Sequence, residues 1–160
     1  MNSPLPHYRS RAARALILLH ERELRRFIRV WREARDGGLG LTGGIPLPES
    51  DDPDYASPDL ILTHVLATAR AALYWLTGNL GLPDPEVDRV PEDIRNEEIL
   101  DLYVEHLVSC WASPLAGKSD DELYEYLTPI KPCYASAMLE HAVMHPMRHS
   151  FQLEELMGKI

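Results

Sequence analysis

Cysteine is scarce in this chain. Two of its 160 residues are cysteine, Cys110 and Cys133, far apart and in no CxxC pair. That pattern does not describe a disulfide framework and points to buried, reduced thiols. Long apolar runs are missing as well. No stretch reaches the roughly 18 apolar residues of a membrane-spanning helix. Residues 1–14 are polar and proline-containing, without the apolar segment of a secretory leader. Positive charge is in deficit: 16 Lys and Arg stand against 25 Asp and Glu, a net charge of −9. Such a field repels phosphate backbones, and no basic run interleaved with aromatics offsets it, so nucleic acid is not an expected partner. Strand signals are absent too, with no sustained alternation of apolar and polar residues and no Asn-Gly turn. These absences leave a single all-α domain over 1–160, expected in the cytoplasm. At this length and with 45% hydrophobic residues it is able to bury a core.

Proline and glycine are present in quantity, 13 and 9 residues, and most fall at 37–58, 78–91, 113–117 and 128–132. The segments between these clusters read as helices. The first spans about 10–35, with Leu16, Leu19, Leu24, Phe27, Ile28 and Trp31 forming an apolar stripe, and Gly37 and Gly38 ending it. Its arginines, Arg22, Arg25, Arg26, Arg29 and Arg32, alternate with Glu21, Glu23 and Glu33, the pattern of a solvated face laced with ion pairs. The second begins at Ser57-Pro58-Asp59, a cap, a first-turn proline and an acid at the positive end of the dipole, and runs to about Leu76. Arg70 is its only charge after residue 60, so it belongs in the interior. The third spans about 93 or 96 to 112. A short helix near 119–126 opens on the capping-box pattern Ser119 to Glu122. The fourth long helix covers about 133–157. The architecture expected is a four-helix, up-and-down-type bundle with a long, acidic connection at 37–58.

The last helix holds the chemistry. His141, His145 and His149 recur at intervals of four, which puts neighbours about one turn apart on one face. Two such imidazoles are able to share a metal ion; the outer pair is about 12 Å apart along the axis and is not. Taking Glu140 as the wet reference and about 100° per residue, His145 and His149 fall among the core-facing residues, while His141 sits at the boundary. A third ligand has to come from another helix, and His20, His64 and His106 are the candidates. His64 is favoured because its helix is the most apolar, where an unpartnered imidazole is costly. The competing description is plain: a histidine on an apolar face is commonly a core residue bonded to a backbone carbonyl or a carboxylate.

The order and spacing of these residues resemble the DinB/YfiT-like superfamily of bacterial four-helix bundles. The fourth helix of that family carries HxxxHxxxHRxQ, with the last two histidines as metal ligands. Here His141, His145, His149 and Gln152 stand at that spacing. The family's second helix carries its other ligand in an LxxH(V/I) context; here that is Ile61 to His64 and Val65, followed by Trp75. The segment Leu115 to Leu123 resembles the loop before the family's last long helix. The resemblance covers about 55–157 and departs at two places. Ser150 follows His149 where the family often has arginine, and Pro146 follows His145 directly.

The resemblance implies a divalent ion, zinc or nickel, held by His64, His145 and His149, with Gln152 and His141 behind them. It implies a metal-dependent hydrolase or a transferase of a low-molecular-weight thiol. The expected partners are a small-molecule substrate, a thiol among the candidates, and a second copy of the chain. The competing class is a non-enzymatic binding or structural bundle whose metal site is vestigial. No general base is evident: Glu105 and Glu140 each precede a histidine and so point elsewhere on their helices. Pro146 deletes the backbone bond to the carbonyl of Ala142. A helix that stays continuous over about 134–156, bent at 142–146, needs another donor for that oxygen.

Overall fold

A computed structural model describes residues 5–40, 44–45, 57–124 and 134–160. Among them are five helices and no strand: α1 (Arg11–Asp36), α2 (Pro58–Asn79), α3 (Glu97–Trp111), the short α4 (Asp120–Leu123) and α5 (Ala135–Leu156). The all-α expectation holds. Most of the 37–58 connection, residues 125–126 of the expected short helix, and Cys133 lie outside the described residues.

Local chemistry sets the helix starts. Ser10 caps α1 by accepting from the Ala13 amide at 2.9 Å, and Ser57 caps α2 by accepting from Leu60 at 3.2 Å, with Pro58 in the first turn. Asn96 caps α3 through the amides of Glu98 and Ile99. Ser119 and Glu122 form the reciprocal capping box of α4. The start of the chain is tied down as well. Tyr8 donates its hydroxyl to the Ala112 carbonyl at 2.8 Å, the Arg9 amide bonds the Ala116 carbonyl at 3.0 Å, and Ser10 bonds Asp120.

α1 and α5 form the largest helix pair, α2 lies against both, and α3 packs on α1. Their shared interior holds Leu24, Phe27, Trp31, Leu62, Leu66, Leu73, Leu107, Trp111, Leu139 and Leu153. α2 runs three residues beyond its expected end. Its 22 residues, with mean hydropathy 1.3 over the most apolar stretch, have the length and apolarity of a membrane span, although polar residues interrupt every apolar run within it. Half of that stretch is buried inside the protein, while a face carrying Leu60, Thr63, Ala67 and Ala71 is exposed, so the helix is less interior than its composition implies.

The arginines of α1 reach further than their own helix. Arg25 pairs with Glu105 of α3 through two contacts, Arg32 bridges Glu97 and Asp101 of α3, and Arg26 grips Glu154 of α5 at 2.8 and 3.0 Å. Glu23, read as part of the wet face, is 4% exposed and accepts from Arg22 at 2.8 Å. The partners lie on neighbouring helices because α1 is flanked by α3 and α5, a neighbourhood that spacing along one helix does not encode. Cys110 is half-buried rather than buried, its sulfur 3.8 Å from a ring nitrogen of His106.

Candidate metal centre

α5 passes through Pro146 without interruption. Its phase is the one expected from the sequence: His145 is 7% exposed, His149 fully buried, and His141 exposed. Across from them, His64 stands half-buried on α2. One nitrogen from each of His64, His145 and His149 lies within 4.8 Å of the other two. The Nε2 atoms of His64 and His145 lie 3.0 Å apart. Ring centroids are 4.7 Å apart for His145 and His149 and 5.3 Å for His64 and His149. The ring of His141 comes within 5.5 Å of His145 from the solvent side.

The donor set fits a divalent ion. Two nitrogens, each about 2.0–2.1 Å from one ion at a tetrahedral angle, sit roughly 3.4 Å apart. The observed 3.0 Å needs only a small adjustment. His149 donates from Nδ1 to the side-chain oxygen of Gln152 at 2.8 Å. That bond selects the tautomer whose Nε2 carries the lone pair, the state a ligating imidazole requires. Burial lowers the pKa of His145 to about 3, and the neighbouring His149, His64, His141 and Arg148 push in the same direction. Burial also lowers that of His149, against a smaller opposing effect of the Gln152 bond. Both rings are therefore neutral at pH 7. The His145 Nδ1 is buried without a hydrogen-bond partner among the described residues.

The other two candidate histidines serve elsewhere. His20 is buried in α1 and bonds the Ala142 carbonyl at 2.9 Å. The Nε2 of His106 accepts from the Asp88 amide at 3.2 Å and helps pin the α2–α3 connection, where the Tyr103 hydroxyl also donates to the Asp88 carbonyl. Glu105 and Glu140 are both exposed, and Glu105 is engaged by Arg25. The groove beside His64 is lined by Leu60, Thr63, Ala67, Thr68 and Ala71, and the face beside His145 by Met144, Met147, Phe151, Arg148 and His141. Among the described residues neither surface includes a carboxylate. Trp111 is a fully buried core residue. Sequence reasoning missed the bond from His20 to Ala142. Its signal was available, since Pro146 strands an acceptor and a buried histidine on another helix is a donor in need of one.

No protein-family model, no curated protein and no solved structure matches this chain.

Proposed function

We propose that His64, His145 and His149 bind one divalent ion, zinc or nickel, and that the chain is a metal-dependent enzyme acting on a small molecule. The observation that carries this reading is the convergence of three nitrogens from two helices within 4.8 Å. The interior of a protein does not gather three imidazoles without a shared partner at low cost. In this reading the four long helices form an up-and-down bundle of the DinB/YfiT-like kind, which the spacing of His64, His141, His145, His149 and Gln152 supports. An ion held by these three imidazoles would keep a position open for a ligand and would supply Lewis acidity to water or a thiol. The chain does the rest: Gln152 orients His149, the apolar interior keeps His145 and His149 unprotonated, and the groove along α2 admits the substrate. Among the described residues neither lining surface carries a carboxylate, so in this reading the ion, and not a described side chain, would activate the nucleophile.

Elemental analysis of protein purified without chelators or nickel resin tests the reading. About one equivalent of a divalent metal per chain is expected. A metal content near zero that stays near zero after incubation with zinc and nickel would end it. The role of Gln152 has its own test, read by competition with a chromophoric chelator. Gln152→Leu removes the acceptor for His149 Nδ1 and is expected to weaken metal binding by about 10- to 100-fold, whereas Gln152→Glu retains an acceptor and stays within a few-fold of wild type.

A further inference from the structure

Pro146 has no amide hydrogen, so the carbonyl of Ala142 loses the donor that a helix normally supplies four residues on. Ala142 is 2% exposed, which leaves that oxygen in the interior. A buried carbonyl without a donor is a costly defect. Next to it, His145 is one residue from the proline and its Nε2 is 3.0 Å from His64. The turn that lost its bond is therefore the turn that aims a proposed ligand.

The missing donor comes from α1. His20 is 1% exposed and its Nδ1 lies 2.9 Å from the Ala142 oxygen. A carbonyl only accepts, so the proton sits on Nδ1. The imidazole is held from another side by Trp111, whose ring centroid is 4.4 Å away. Its Nε2 is buried and bonded to nothing among the described residues. Packing alone does not account for a histidine here, because an apolar side chain would fill the site without an unsatisfied nitrogen. The bond to Ala142 is what the imidazole contributes that an apolar residue does not. One turn further along, the Ser150 hydroxyl donates back to the Pro146 carbonyl at 2.9 Å, so both sides of the proline are held by side chains.

We propose that His20 replaces the backbone donor removed by Pro146, and that this bond from α1 positions His145 against His64 and His149. His20 is thus a positioning residue and not a ligand. The positioning half of the inference rests on the reading of the three histidines as a metal site; the replacement half does not.

Four variants test it: His20→Leu, His20→Asn, Pro146→Ala, and His20→Leu combined with Pro146→Ala. Two quantities are read for each, the melting temperature of the metal-free protein and the affinity and absorption spectrum with Co(II). Leucine and asparagine side chains have the same number of heavy atoms and the same branching, but only asparagine offers an amide donor close to the place of Nδ1. His20→Leu is expected to lower the melting temperature by about 5 °C and to weaken Co(II) binding about tenfold with an altered spectrum. His20→Asn should recover most of both. In the Pro146→Ala background the restored amide serves Ala142, and the same His20→Leu change should weaken Co(II) binding by less than about threefold. Equal losses in the two backgrounds, or no rescue by asparagine, would show that His20 acts by packing and overturn the replacement. Wild-type affinity and spectrum in His20→Leu would overturn the positioning. Failure of the wild type itself to bind Co(II) would remove the metal reading and the positioning with it, while the melting temperatures would still decide the bond.

Discussion

His149→Ala is expected to abolish stoichiometric metal binding, weakening affinity by roughly a thousandfold, the share of one ligand in a zinc site of this kind. The size of the effect follows from where His149 sits. It is fully buried, its Nδ1 is committed to Gln152, and its other nitrogen is the one available to an ion. No described carboxylate lines the adjoining surfaces to take its place. His106→Ala is the matched control, because His106 lies on α3 and serves the Asp88 amide. Zinc affinity of that variant is expected to stay within a few-fold of wild type. Equal loss in both, measured on folded protein by equilibrium dialysis, would mean that binding reports the folded state and not these ligands.

Acid is expected to destabilise the metal-free protein well before its carboxylates titrate. Burial lowers the pKa of His20 to about 4, with the bond to Ala142 opposing it. In the unfolded chain a histidine has a pKa near 6.5. Between those values the unfolded state takes up a proton that the folded state refuses. Stability contributed by neutral His20 is therefore complete above about pH 6.5 and falls as the pH drops toward 4. By pH 5 the loss from His20 alone is about 2 kcal/mol, and His145 and His149, shifted in the same direction, add to it. Denaturant unfolding at pH 7 and pH 5 measures this. A free energy of unfolding that is flat across that interval would contradict the buried, neutral state of these rings. His20→Leu should remove part of the slope, which separates this titration from that of the acidic groups.

The helix starts were legible in the sequence because capping is local. Ser57 with Pro58, and Ser119 with Glu122, act at the positions their spacing indicates, and of the two starts open for the third helix the structure takes Asn96. The inward phase of His145 and His149 was legible too, since one helix carries its own polar reference in Glu140 and Glu155. Periodicity did not decide which of His20, His64 and His106 faces them; the apolarity of its helix and the resemblance pointed to His64, which the structure brings to the pair. The choice depends on the register between α2 and α5 and on which helix crosses the proline turn, and neither is written in the periodicity of a single segment. The partners of Arg25, Arg26 and Arg32 were hidden for the same reason, as they come from helices remote in sequence.

The approach of His64 to His145 joins residues 81 positions apart. Viewed as chain topology, it is the clasp of a large loop that contains all of α3 and α4. Closing a loop of that length carries an entropic penalty that grows only slowly with the number of residues enclosed. Insertions or deletions within the enclosed segment therefore change the cost of the clasp little. α3 makes its principal helix contact with α1 rather than α2. The cost of closing the clasp is thus nearly independent of the length of the enclosed segment, while its packing stays tied to that segment through Trp111 of α3, which lies against His20.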